Sequence, residues 1–196
     1  MTLTIETLKA GELATALGAL AELRITVFRD FSYLYDGTLD YERNYLKRFS
    51  EAEGAVIVVT RDESRIIGAA TGAPMTEVEP EFSAPFLAHG FDIKNLFYCA
   101  ESVLLSEYRG QGIGHAFFDH RENHARSLGT SRSCFCAVIR PDDHPQKPAG
   151  YSPLDPFWRK RGYAPIEGVQ ARFAWKDVGD TEETKKPLQF WQRELS

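Results

Sequence analysis

Apolar and polar positions recur along the chain with two different periods, and each change of period marks a new element. LTIETL (residues 3–8) alternates residue by residue and predicts a strand. Residues 9–28 carry Leu13, Leu17, Leu20, Leu23 and Val27 at helical spacing and predict a helix. An aromatic-rich loop, FSYLYDGTLD, leads to a short second helix in YERNYLKRF. GAVIVVT and RIIGAATGAP read as two strands joined by RDES into a hairpin. TEVEPEFSAPFLAHGFDIKN mixes prolines and a glycine with aromatics and predicts loop with a short helix. LFYCAESVLL predicts a strand long enough to cross a domain. IGHAFFDHRENHARSLG then predicts a helix that stops at Gly129. RSCFCAVIR is the next strand, PDDHPQKPAGYSPLDP a long proline-rich loop, and PFWRKRGY a short helix closed by Gly162. VQARFAWKDV and PLQFWQREL are two final strands around the charged turn GDTEETKK. The order is mixed α/β: a hairpin, a strand–helix–strand unit, then a hairpin.

A chain of 196 residues has room for one full-sized core, so residues 1–196 are expected to form a single domain. Composition is ordinary for a globular protein, with 43% hydrophobic and 26% charged residues. A net charge of -5 argues against nonspecific nucleic-acid binding, which needs a basic surface. MTLTIETLKAGEL lacks the basic head and apolar run of a signal peptide, and no apolar stretch reaches the ~20 residues of a membrane span. No membrane partner is therefore expected. The three cysteines, Cys99, Cys134 and Cys136, lack CxxC spacing, which points to reduced thiols in the cytoplasm. Cys134 and Cys136 share one face of a strand and read as small buried hydrophobes; no metal site is expected.

SEYRGQGIGHA (residues 106–116) carries the chemistry, with glycines at 110, 112 and 114 and an arginine before the first. A Walker loop would need Gly-Lys-Ser/Thr after the glycines, and there is none. A dinucleotide fingerprint would need a third glycine three places after Gly112, where His115 stands. A pyrophosphate cradle fits. The first amides of a helix lack intrahelical partners and the helix dipole favours an anion there. Gly110, Gly112 and Gly114 would allow close approach and torsions that side chains block, and Arg109 adds charge. A turn that only reverses the chain rarely needs three alternating glycines.

ESVLLSEYRGQGIGHAFF resembles the coenzyme A-binding motif of the GNAT acyltransferase superfamily, in the frame Arg109-Gly110-Gln111-Gly112-Ile113-Gly114. DPFWRKRGY is similar to the family's Phe-Tyr-x-x-x-Gly-Phe segment, and the element order fits from residue 3 to the end. The resemblance implies a single α/β domain of the α+β type: a mixed, mostly antiparallel twisted sheet with splayed central strands, flanked by helices. It implies acetyl-CoA in the gap between those strands. Val103, Leu104 and Leu105 would pair their backbone with the pantetheine arm, and a backbone N–H near Leu104 would polarise the thioester carbonyl. Arg109 to Gly114, with His115, would wrap the pyrophosphate, and Trp158 would lie beside the thiol. The acceptor, a primary amine of a small molecule or peptide, would approach from the other side. A homodimer is compatible with this reading.

Acyl transfer to an amine needs a neutral amine, an oxyanion donor and often an acid for the leaving thiolate. Glu101 is the first candidate for base: a carboxylate isolated among apolar neighbours would have a raised pKa. The alternative for Glu101 is a salt bridge. Trp158 stands where many members place a tyrosine, and an indole N–H is no useful acid. Tyr151, in the preceding loop, is then the nearest candidate acid, its alternative being a turn aromatic. Arg29, Tyr33, Tyr35 and Asp36, with Asp30 and the glutamates at 77, 79 and 81, would supply a wall suited to a cationic amine; solvated loop charge is the alternative. His120 and His124 lie on the face of Ile113, Phe117 and Leu128, where a packing role is expected, and His144 sits in the long loop. Two functions stand: an acetyl-CoA-dependent N-acetyltransferase, or a catalytically weak or inactive coenzyme A-binding sensor or interaction module, which Trp158 keeps open.

Overall fold

The structure, a computed structural model, describes residues 2–9 and 11–196. Strands β1 (Leu3–Thr7), β2 (Val56–Asp62), β3 (Arg65–Pro74), β4 (Leu96–Leu104), β5 (Arg132–Val138), β6 (Ala164–Trp175) and β7 (Thr184–Glu194) form one sheet in the order β1-β2-β3-β4-β5-β7-β6. Every neighbouring pair is antiparallel except β4–β5. Residue alternation sends side chains to two cores. On one face Val56, Val58, Phe97, Cys99 and Phe135 pack under α4 (Ile113–Ser127) and α5 (Asp155–Lys160). On the other, Ile57 and Val59 pack under α1 (Leu13–Phe28) and α2 (Leu39–Glu51). Tyr98, Cys134, Cys136 and Phe190 share that second face with α3 (Pro80–Ala88). No helix of the described residues is long and apolar enough to cross a membrane.

The two predicted glycine stops are where helical backbone ends. Gly129 (φ 78°) and Gly162 (φ 86°) adopt left-handed torsions. The amides of Thr130 and Tyr163 reach back to the carbonyls of Ala125 and Trp158 at 3.1 and 3.0 Å, the Schellman arrangement. Ala10, assigned to the first helix by its periodicity, lies outside the described residues, and that helix starts at Leu13. β6 starts at Ala164 rather than Val169. Its pairing with β7 breaks between Pro165 and Gln170, where Gly168 takes φ 78°. Pro165 and Gly168 punctuate the sequence like a loop, but here they sit at an irregularity inside an edge strand.

Two features of β4 position the site. Its parallel pairing with β5 covers only Leu96–Tyr98 against Arg132–Cys134, and beyond these the strands splay apart. β4 also contains a bulge: Thr71 faces Glu101 and Ala73 faces Tyr98, so β4 spends one residue more than β3 over this stretch. Before the bulge Phe97 and Cys99 face α4; after it Ser102 and Leu104 do, and Glu101 and Val103 turn to the α1 face.

Candidate functional site

The wide end of the gap is closed by the glycine run. Tyr108 is buried and donates to the Asp62 carboxylate at 3.0 Å, and the Leu105 amide donates to the Ile67 carbonyl at 3.0 Å, so the loop is anchored to β2 and β3. Gly110 (φ 77°) and Gly112 (φ 85°) take left-handed torsions, and Gly112 is the N-cap of α4. Helical bonding begins with His115 and Ala116 donating to the Gly112 carbonyl at 3.0 and 3.2 Å. The amides just before His115 precede that ladder and gather at the helix start, whose first turn contains no acidic residue. Gly114 differs from expectation: it is helical, and a Cβ there would meet Phe157 at an ordinary 3.5 Å. Two glycines, not three, are required by backbone torsion.

The other cradle residues have partners. Arg109 is half exposed, with Nε 3.4 Å from the Leu104 carbonyl and an Nη 3.8 Å from Asp30. Gln111 donates to the Glu107 carbonyl at 3.5 Å. His115 leans on Phe157, ring centroids 4.8 Å apart, and accepts from Arg161 at 3.2 Å through Nδ1. Because the Leu105 amide points to β3, strand alternation turns the Leu104 backbone to the gap, while Val103 faces Ala69 of β3. Of the three residues expected along the pantetheine arm, Leu104 alone offers its backbone on that side.

At the throat, where pairing ends, the Tyr98 hydroxyl and Cys136 thiol lie 3.1 Å apart, one from each strand. Burial pushes the Cys136 thiol up to about 12 and raises Tyr98 as well, so both are neutral. Glu101 follows on the β4 wall. The isolation expected for it is absent: Arg24 of α1 is ion-paired with it, and Thr71 donates to it at 2.9 Å. Arg24 is in turn paired with Glu42 of α2, which is fully buried. The guanidinium lies over the rings of Tyr45 (4.5 Å) and Phe28 (5.2 Å). Burial opposes its charge, but Glu101, Tyr45 and Glu42 outweigh burial and its pKa is raised. By formal charge the trio sets two carboxylates, Glu42 and Glu101, against one guanidinium, Arg24.

The loop residues expected to bind substrate divide into two kinds. Tyr33 stacks on Trp175 with centroids 5.8 Å apart and lies tilted against Phe28 at 4.8 Å, and Tyr35 packs against Phe28 at 6.5 Å. Burial raises the pKa of both hydroxyls, reinforced at Tyr35 by Glu42 and at Tyr33 by Cys136 and Glu101. These two tyrosines adjoin the charged trio. Arg29 and Asp36 instead pair with each other at 3.0 Å, and Asp36 also takes Lys176 at 2.8 Å; both partners lower its pKa. Those charges brace the loop. The glutamates at 77, 79 and 81 are exposed. Tyr151 stands edge-on to Phe31 at 4.7 Å, and His144 lies on the same Phe31 ring at 5.6 Å, so the loop after β5 rests on the loop after α1. Trp158 packs on Phe135 and Trp191, with centroids 4.9 and 5.2 Å apart. His124 bonds the Gly54 carbonyl at 2.9 Å and packs against Phe97, as a packing residue should.

Arg24, Glu42, Thr71, Tyr98 and Cys136 are therefore site residues that sequence reading passed over. A signal was available for the first two. Arg24 continues the spacing of Leu13, Leu17 and Leu20, and Glu42 that of Leu46 and Phe49. A charge on an apolar stripe is buried, and a buried charge needs a partner.

No curated protein matches the chain by sequence. Solved structures share its fold at low identity. A ribosomal-protein-alanine N-acetyltransferase from Brucella melitensis aligns over 98% of this chain and 99% of its own, with a TM-score of 0.64 and 16% identity. yncA from Salmonella typhimurium, with its cofactor acetyl-CoA, aligns over 100% and 95% at a TM-score of 0.63 and 12% identity. The ribosomal-protein-S18-alanine N-acetyltransferase from Escherichia coli aligns over 100% and 95% at 0.58 and 11%. The family model for acetyltransferase (GNAT) domains matches residues 20–163, from within α1, through the cradle, to Tyr163 after α5. With the splayed β4–β5 pair and the glycine cradle at its wide end, the match places the chain in the GNAT acetyltransferase family.

Proposed function

We propose that the protein transfers the acetyl group of acetyl-CoA to a primary amine of a small molecule or peptide, by direct attack in a ternary complex. The observation that carries this reading is the gap beyond Tyr98 and Cys134, with free helix-start amides at its mouth and a net-negative, aromatic-lined trio on its α1 face. Acetyl-CoA, when bound, supplies an activated thioester. The amides around Gly112 would hold its pyrophosphate, and the Leu104 amide would serve as the oxyanion donor. Arg109 adds charge at the mouth by turning from Asp30. Glu101, fixed by Arg24 and Thr71, receives the amine's proton directly or through water. Tyr151 is the side-chain acid proposed for the thiolate, since Trp158 cannot serve. Three buried, free cysteines suit a reducing cytoplasm.

A weak or inactive coenzyme A-binding module is the second reading, favoured by Trp158 packing on Phe135 and Trp191 in place of an acid. Two measurements separate the readings. Acetyl-CoA at a hundredfold excess over Kd should stabilise the fold by ~2.7 kcal/mol in thermal unfolding. Thiol release across a panel of amines should then find an acceptor; stabilisation without turnover favours the module.

Conservative variants assign the proton steps. Glu101→Gln keeps the shape of the trio and should lower turnover at least about tenfold, with acetyl-CoA affinity unchanged. Tyr151→Phe keeps the packing on Phe31 and should lower turnover at least about fivefold. Parent-like turnover and pH dependence in either variant would remove that residue from the mechanism.

A further inference from the structure

Arg121 is the largest side chain sealed in the interior, 1% exposed, and no carboxylate lies within ion-pair distance of it among the described residues. It occupies the apolar stripe of α4, after Ile113 and Phe117 and before Ala125. An apolar side chain would fill that position without desolvating a charge. What the charge holds is specific. Nε donates to the Phe117 carbonyl of its own helix at 3.1 Å. One terminal nitrogen donates to the Thr71 carbonyl at 3.2 Å and to the Glu101 carbonyl at 2.9 Å. The other donates to the Ser102 hydroxyl at 2.9 Å. Thr71 and Glu101 are the pair at which the β3–β4 register shifts. The planar fork therefore grips both strands at the bulge and the first residue beyond it.

We infer that Arg121 is a positioning residue for the coenzyme A gap: it holds β4 in the bulged phase that turns Glu101 to the α1 face and the Leu104 backbone to the gap. Without the fork, two carbonyls at the bulge lose their donors inside the core. β4 then regains partners by sliding toward regular pairing with β3, which rotates every residue after Cys99.

The inference rests on acetyl-CoA being the gap's ligand, and its test is independent of the amine. Acetyl-CoA affinity is measured by calorimetry on the full chain, well below each variant's melting temperature, for the parent, Arg121→Met and Arg121→Lys. Arg121→Met fills the space without the donors and should bind about tenfold more weakly or worse, the size of a lost charge-assisted hydrogen bond. Arg121→Lys keeps a cation but not the fork and should fall between the two, roughly threefold weaker than the parent. A residue needed only for stability would lower the melting temperature and leave these affinities alone. Parent-like binding, within about twofold, in a folded Arg121→Met overturns the inference. If that variant does not fold, parent-like binding by Arg121→Lys overturns it, and the intermediate loss supports it. A parent that binds acetyl-CoA but acetylates no amine removes the proposed transfer while the affinity comparison stands; a parent that binds none removes both.

Discussion

Gly112→Val is expected to weaken acetyl-CoA binding more than about a hundredfold while the protein stays folded. The cause is torsional. Gly112 caps α4 at φ 85°, where a β-branched residue is strained by ~1–3 kcal/mol, yet a Cβ at this position meets nothing within 4 Å. The valine is therefore accommodated by rotating the backbone out of the left-handed region, not by pushing neighbours aside. That rotation swings the loop amides away from the anion's position. Gly114→Ala is the internal control: the site is helical, the added methyl touches Phe157 at 3.5 Å, and binding should match the parent. Calorimetric titration with acetyl-CoA and circular dichroism of both variants check this. A folded Gly112→Val that binds like the parent would remove the cradle.

The contrast between those two glycines shows where sequence reading reaches and where it stops. Alternation, helical spacing and apolar runs located the seven strands and the helices α1, α2, α4 and α5. α3 was expected only as a short helix within a loop, and β2 and β3 read as apolar runs because they are buried along most of their length. The glycine loop that opens α4 was legible too, since glycines before an amphipathic run mark a helix start with unusual torsions. Spacing alone could not separate Gly112, which needs its torsion, from Gly114, which does not. The bulge in β4 was invisible: LFYCAESVLL is uniformly strand-like, and the extra residue exists only relative to β3. Arg29 and Asp36 read as free charges although they lie only seven residues apart, because pairing depends on how the loop folds back; Lys176, which joins Asp36, comes from across the fold. Arg24, Glu42 and Arg121 share one pattern, a charge where an apolar stripe calls for a hydrophobe. Such positions mark a buried charge, but its partners lie on other elements and no local pattern names them.

Arg24→Met should show how strongly the acceptor face depends on such a charge. Arg24 and Glu42 are both buried, and Glu101 is largely so, with 16% of its side chain exposed. Removing the cation strands two carboxylates in the interior, and breaking a buried pair in this way costs ~3–5 kcal/mol. The cation–π contacts with Tyr45 and Phe28 are lost as well. For a chain of this size the loss corresponds to a fall in melting temperature of roughly 10 °C. Arg24→Met/Glu42→Gln removes one stranded charge and should recover part of the stability, leaving a coupling of about 1–3 kcal/mol between the two positions in a double-mutant cycle. Adding Glu101→Gln should recover more, because the third member of the trio then has no charge to strand. Urea unfolding of the parent and these variants measures all three terms. A single-variant loss below about 1 kcal/mol would place Arg24 with hydrated surface pairs. The negative excess on the α1 face would then be screened by water and could not favour a cationic amine over a neutral one.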